Sequence, residues 1–564
     1  MIDNGDTNSR ASHGTPPLDP YSRDASSSRE PPQGFFATLH CLGPGMILAG
    51  SIVGSGELIV TTKLGAEAGF TFLWFVLVSC LVKVVVQTEI ARHTISSGET
   101  FLCVFNSLPG PSMMRPDWLT LRWMAAVVAA CIVGVAIYVN LTDSLQTTSY
   151  GLIIGVCVVV LSIAAAWAIT SQVTKSQSPS VDDLAKRVVP TPLAEDRLPR
   201  TRVNWFMGMW LASMVLVFVN SGAILGGAGQ TLQMATPDLF GAGGARVWAF
   251  LIGCAAVLLV LNGRYATLEK ILIVLVSSFT LVTVICALML QTTSFAITEN
   301  DLWYGLSFSL PDPMTSGVTM TALAMYAGTG VAFGEMFNYT YWCVEKGYAR
   351  FAGPPSDDDN WPRRARGWIR VMYIDALLTM VVYTVSTICF YFLGAAVLHA
   401  KGLNPDGRET LQILSEMFTE TLGGWAANLF IIGAFCVLFT TILSGFAGTS
   451  RLMADALAVM GLFDPKDYNT RLRFIRRFII ALLGLFVIAF WLFENPPAML
   501  LITSSLIAAA MYPVLGIGVL YLRHRRIDAR IAPGTWTTCW LWACATVLTI
   551  ISPGGILLAM YLSR

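Results

Sequence analysis

The sequence predicts an all-α polytopic membrane protein in which two spans are interrupted. Three observations lead there. The 564 residues are 55% hydrophobic and only 13% charged, with a mean hydropathy of +0.63, a balance typical of multi-span membrane proteins rather than of several soluble domains. Apolar runs long enough to cross a bilayer recur from about residue 40 onward. Two of these runs carry glycine clusters that end on an acid. The first reads Gly43-Pro44-Gly45, then Gly54-Ser55-Gly56-Glu57; the second reads Gly328-Thr329-Gly330, then Gly334-Glu335. Glycine loses the most backbone entropy on entering a helix, and in hydrocarbon an unwound backbone is tolerated only where it lines a cavity or is buried in protein. A carboxylate at that depth faces a partner or an ion path. Interruptions in both halves of such a chain point to a carrier's midplane site.

Taken from the N-terminus, residues 1–36 are rich in Ser, Pro, Asp and Arg and are expected to form a disordered cytoplasmic tail without a signal-peptide core. Residues 37–564 are the transporter domain. About thirteen segments are long enough to span: 40–65, 70–92, 123–141, 149–170, 204–233, 246–262, 267–291, 317–345, 368–399, 423–449, 474–493, 497–522 and 536–561. With the N-terminus inside, the inner loops hold Lys175, Lys186, Arg187, Arg197, Arg200 and Arg202, then Lys346, Arg350, Arg363, Arg364, Arg366 and Arg370, then Arg451, Lys466, Arg471, Arg473, Arg476 and Arg477, then Arg523, Arg525, Arg526 and Arg530. The outer loop 292–316 holds Glu299, Asp301 and Asp312 and no Lys or Arg. This bias sets the N-terminus inside and the C-terminus outside, in a multi-pass protein expected in the plasma (inner) membrane. A net charge of +1 gives no field for nucleic acid. The 12 cysteines lie mostly inside apolar runs with no Cys-x-x-Cys pair, so they read as small buried hydrophobes.

The Gly54-Ser55-Gly56-Glu57 break, followed by Leu64-Gly65-Ala66-Glu67-Ala68-Gly69-Phe70, resembles the first helix and first outer loop of the Nramp (SLC11-type) divalent-metal transporters. Leu268-Glu269-Lys270 before a later span fits the same pattern weakly. In that family the first break reads Asp-Pro-Gly-Asn, and its Asp and Asn bind the metal. Gly54 stands at the Asp position here, Ser55 at the Pro, Gly56 at the Gly and Glu57 at the Asn. The sixth helix of the family carries Met-Pro-His; aligned on Gly328 and Val331, those positions are Ala332, Phe333 and Gly334. The resemblance covers roughly residues 40–92 and 204–561. It implies the LeuT-type fold of five plus five helices in inverted repeats, with the first and sixth of eleven core helices broken. Residues 123–141 and 149–170 match nothing in that pattern, so 123–202 is assigned to an inserted helical hairpin and cytoplasmic linker.

The departures from the pattern carry the functional reading. Ala332 removes the family's thioether, the one soft ligand, while Glu57 supplies a hard oxygen; carboxylate, carbonyl and water suit Mg²⁺, Ca²⁺ and Mn²⁺. Mg²⁺ dehydrates reluctantly and is held through waters and one or two carboxylates. The site therefore resembles the Nramp-related magnesium transporters. Glu57, Gly54, Thr329 and Ala332 are the expected metal residues, Thr329 by the carbonyl that the resemblance assigns it. Ser55, Gly56, Gly334, Glu335 and Asn220 are expected along the pathway, with helix packing the plainer role for Asn220. Gly226, Gly227 and Gly229 read as close-packing positions, since no P-loop Lys-Ser/Thr follows them. Lys83 and Glu89 do not share a helix face, whereas Glu89 and Arg92 make a local ion pair. The five histidines, His13, His40, His93, His399 and His524, lie in the tail or near span ends, and Gly334 replaces the family's histidine.

The function expected is facilitated or voltage-driven uptake of divalent cations, hydrated Mg²⁺ and then Mn²⁺, without proton coupling. The substrate is the metal itself, no resident cofactor is implied, and a monomer in the lipid bilayer is expected. Two alternatives stand beside it: a proton-coupled Mn²⁺/Fe²⁺ carrier, and a carrier of the same fold for an amino acid bound at exposed helix N–H groups. A membrane enzyme would need a His-rich metal cluster, a nucleophile elbow or a nucleotide loop, and the spans contain none of these motifs.

Overall fold

The computed structural model describes residues 19–115, 120, 201–262, 265–405, 410–492 and 497–562. The chain solves the hydrocarbon problem with helices, whose backbone groups are satisfied within each segment. The first span is assembled in pieces. Helices α1 (Phe35–Cys41) and α2 (Pro44–Ile52) meet at a 61° bend, with Pro44 opening α2, where a missing N–H costs nothing. Helix α2 ends at Ile52; the chain then resumes as a π-helical turn, Gly56–Thr61, that runs into α3 (Thr62–Ala68). Next come α4 (Leu73–Ser97) and the short α5 (Phe101–Phe105).

Strand β1 (Ser112–Met114) pairs antiparallel with β2 (Arg202–Asn204), Ser112 opposite Asn204 and Met114 opposite Arg202. The chain between them thus leaves and returns at one place. The expected hairpin segments 123–141 and 149–170, and the linker to residue 200, lie outside the described residues. Asn204 caps α6 (Trp205–Ala235) by accepting from the Phe206 amide at 3.3 Å. Helices α7 (Gly244–Asn262), α8 (Tyr265–Met289) and the amphipathic α9 (Glu299–Leu306) follow. The second interrupted span is α10 (Ser316–Gly328) and α11 (Phe333–Lys346). After α12 (Tyr348–Ala352) come α13 (Asn360–Leu393), α14 (Thr410–Leu422), α15 (Ala426–Val459), α16 (Tyr468–Leu492), α17 (Pro497–Ala509), α18 (Tyr512–Arg525) and α19 (Thr535–Leu562).

Eleven of the thirteen expected spans thus have helical counterparts among the described residues. Judged singly, seven helices among the described residues are long and apolar enough to cross a membrane, or eight if the bent α1–α2 pair is one span. The second break cuts its span into pieces of 13 and 14 residues, each too short to cross alone. The interrupted helices sit at the centre. Helix α2 packs among α8, α11, α13 and α15, and α10 packs against α17 and α19. The expected close packing at Gly229 is present, since a Cβ there would meet the Ala249 amide of α7 at 2.9 Å.

Residues 19–36, expected within a disordered tail, are instead folded onto one end of the bundle. Arg23 donates to the Ser96 carbonyl at 3.1 Å, and the Arg471 guanidinium lies 4.2 Å from the Tyr21 ring centre. The Arg29 amide donates to Phe351 O and the Trp368 indole to Arg29 O, both at 2.9 Å. Polar composition concealed the anchors, Tyr21 among them. Residues 1–18 lie outside the described residues.

Candidate functional site

The two interruptions meet. At Gly56 a side chain is excluded, because a Cβ would collide with the Gly328 carbonyl at the end of α10. Gly330 holds φ +60° in the second break, a conformation glycine adopts without steric cost. These two glycines let the broken backbones approach, and they explain why the glycine clusters stand where they do.

Glu57 closes this junction. Its side chain is fully buried, and its carboxylate accepts from the Gly330 amide at 2.7 Å and from the Gly54 amide at 3.2 Å. One carboxylate therefore satisfies a free N–H from each interruption, groups that would otherwise be costly orphans at this depth. On the other side Lys83, from the middle of α4 and fully buried, donates to the Tyr326 carbonyl at 2.6 Å and also to the Thr329 carbonyl. A cation at the C-terminal end of α10 complements the negative end of its dipole. Ser79 adds a 3.3 Å bond to Tyr326 O, and the Tyr512 hydroxyl caps Ala327 O at 2.8 Å. The Thr329 carbonyl that the resemblance offered to a metal thus accepts from a protein ammonium.

Beside this junction lies a cavity of about 120 Å³. It is bounded by Ser51 and Ser55 of the first span, Gly328, Gly330 and Ala332 to Glu335 across the second break, Thr441 of α15, and Ser504 and Ser505 of α17. Glu335 provides the carboxylate. It sits in the first turn of α11, where the positive helix end favours an anion, and accepts from the Ser51 hydroxyl at 3.0 Å. Thr441 and Ser504 donate their own hydroxyl protons back along their helices, to Val437 O at 3.0 Å and Leu501 O at 2.9 Å, and so keep lone pairs for a guest.

The expected site residues divide accordingly. Ser55, Gly56, Ala332, Gly334 and Glu335 line the cavity. Glu57, Gly54 and Thr329 belong to the junction: the Glu57 carboxylate bonds two backbone amides, and a Cβ at Gly54 would collide with the Thr441 hydroxyl. Asn220 lies within α6, its side chain outside the described residues. Among the described residues no group of three His, Cys, Asp or Glu side chains is placed to chelate a metal. Ser51, Thr441, Ser504 and Ser505 escaped the sequence reading, and Lys83 was weighed there only against Glu89. Lys83 carried a usable signal, a charge in mid-span; the hydroxyls carried none, because Ser and Thr are common in transmembrane packing.

Two further carboxylates brace the first span and its surroundings. Asp375 of α13 accepts from the Gly43 and Gly45 amides at 3.0 and 2.6 Å, fixing the start of α2, and from the Tyr339 hydroxyl at 2.9 Å. The expected Glu89–Arg92 pair is present within α4, and Arg523 of α18 joins it through Nε at 2.9 Å.

Comparison with known proteins agrees with this geometry. The sequence profile of the Nramp family, described as natural resistance-associated macrophage protein-like, matches residues 192–557, well over half of the chain. No curated protein sequence matches. Among solved structures, a mutant of the manganese transporter of Eremococcus coleocola superposes with a TM-score of 0.55 at 12% identity, covering 96% of each chain. The same transporter in complex with an aromatic bis-isothiourea substituted compound gives 0.53 at 12% identity, over 95% of this chain and 94% of that one. At such identity the likeness is one of fold: the LeuT-type inverted repeat with its first and sixth helices broken. The chain belongs to the Nramp family of divalent-metal transporters, as an integral multi-pass membrane carrier and not an enzyme.

Proposed function

We propose that this chain carries hard divalent cations in largely hydrated form, Mg²⁺ first and Mn²⁺ second, through the cavity beside Glu335, as the Nramp-related magnesium carriers do. The observation that carries this reading is the cavity's chemistry. Its lining among the described residues has one carboxylate, four serines, a threonine and no sulfur. A bare soft ion wants thiolate or thioether; a hydrated hard ion presents water protons and wants acceptors. Glu335 offers an anionic acceptor, and Thr441 and Ser504 offer lone pairs because their own protons are already committed. Space supports the same conclusion, since one water needs roughly 10–15 Å³ on the same measure and the cavity has about 120 Å³. Hydroxyls bonding through water lose little relative to direct contact.

The same reading takes the flux to be facilitated and driven by membrane potential, about 2.3 kcal/mol per charge per 100 mV, with no accompanying proton. Gly54 and Gly334 stand where proton-handling relatives are expected to carry Asp and His. It also places the N-terminus inside the plasma membrane, on the side rich in Lys and Arg, and takes the carrier as a monomer. An anionic amino acid carboxylate is disfavoured by Glu335. The deciding experiment is uptake into proteoliposomes offered Mg²⁺, Mn²⁺, Cd²⁺ or a panel of amino acids, with a pH-sensitive dye inside. Mg²⁺ and Mn²⁺ uptake without acidification is expected. Acidification that tracks the metal gradient, or uptake of amino acids alone, would overturn this reading.

A further inference from the structure

We infer that Lys83 is a tethered cation occupying a carbonyl-lined cation position at the interrupted sixth helix, so that this carrier works without a co-bound monovalent ion. The geometry is that of ion binding with the ion replaced by an ammonium. Lys83 Nζ donates to the Tyr326 and Thr329 carbonyls at the C-terminal end of α10. The Tyr326 ring centre lies 5.6 Å from the same ammonium, and Ser79 holds the Tyr326 carbonyl from the neighbouring turn of α4. The junction thus contains its own cation and its own anion, Lys83 on the carbonyl end of α10 and Glu57 on the amides of both breaks.

Two consequences follow for ion choice. The Thr329 carbonyl is not free to enter a metal's inner shell, which makes Lys83 a specificity-determining residue that keeps the transported ion in the hydroxyl-lined cavity. The carbonyl position is also closed to small monovalent cations such as Na⁺. Removing the ammonium without refilling its space leaves two buried carbonyls uncompensated at the negative end of α10, a situation that draws in a cation. Lys83→Ala should therefore create a Na⁺ site, Lys83→Met should fill the space without creating one, and Lys83→Arg should keep it occupied.

The test has a binding arm and a flux arm, and only the flux arm rests on the metal-carrier reading above. In detergent, Na⁺ in place of choline should raise the melting temperature of Lys83→Ala by about 2 °C or more, and should leave the wild type, Lys83→Met and Lys83→Arg unchanged. In proteoliposomes, wild-type Mg²⁺ uptake should be the same in Na⁺ and choline, while uptake by Lys83→Ala should rise at least about fivefold with Na⁺. A packing role for Lys83 would lower the stability of Ala and Met alike without any Na⁺ response, and that result would overturn the inference. Should Lys83→Ala fail to insert, the wild type decides alone: Na⁺-dependent uptake or Na⁺ stabilisation of the unaltered protein would also overturn it. Absence of metal flux with Na⁺ stabilisation of Lys83→Ala would reject the transport reading and leave the tethered cation standing.

Discussion

Two acids mark the two broken helices, and the structure gives them different work. Glu57 faces backbone: both its oxygens accept amides, one from each interruption. Glu335 faces space: one oxygen accepts from Ser51, and the residue lines the cavity. The difference teaches that a buried carboxylate in a membrane protein can serve the fold or the guest, and that its hydrogen-bond partners tell which. A carboxylate that replaces missing helix bonds is a structural clasp. A carboxylate in a helix's first turn beside a hydroxyl-lined void has an acceptor to offer, and the proposed function makes it the ligand.

The sharpest way to break this comparison is to neutralise each acid in turn. Glu335→Gln keeps the shape and the Ser51 bond but removes the charge that offsets cation dehydration. Uptake of Mg²⁺ in proteoliposomes should fall by about 100-fold, equivalent to roughly 2.7 kcal/mol, while the melting temperature stays near that of the wild type. Near-normal uptake by a well-folded Glu335→Gln protein would remove Glu335 from the path.

Glu57→Gln should show the opposite balance. One amide would lose its acceptor and meet a side-chain NH₂, costing about 2 kcal/mol of stability. Thermal unfolding of the purified variant reads this directly, and uptake by the surviving folded protein should drop by no more than about tenfold. A Glu57→Gln protein as stable as the wild type but devoid of uptake would exchange the two roles.

A smaller effect is expected at Ala332, which lines the cavity. Ala332→Met adds a thioether to an all-oxygen site and should raise Cd²⁺ affinity by about tenfold relative to Mg²⁺, measured by calorimetry. Unchanged Cd²⁺ affinity would mean that the guest does not approach this wall.

Much of this was legible in the sequence. Hydropathy located eleven helical spans, and the glycine clusters located both interruptions, because backbone that cannot be helical in hydrocarbon must be marked by residues that tolerate it. The site was legible in part. Glu335, Ser55, Gly56, Ala332 and Gly334 were named and share one cavity, but sequence could not tell a carboxylate facing amides from one facing a void, so Glu57 was expected on the metal and Glu335 only along the pathway. Lys83 was weighed only against Glu89 on its own helix; its partners, Tyr326 and Thr329, are far away in the chain and meet it only through the packing of α4 beside α10. The tail was misread for a similar reason: Tyr21 and Arg29 find partners on α12, α13 and α16 that no local window reveals.

The most direct test of the central claim, that the cavity beside Glu335 holds the transported ion, is anomalous diffraction from crystals of the protein soaked in Mn²⁺. The account predicts a single peak in the cavity, on the Glu335 side and separated from the carboxylate by no more than one water, with Lys83 still bonded to the Thr329 carbonyl. A peak bonded directly to Thr329 O and Glu57, with Lys83 displaced, would contradict it.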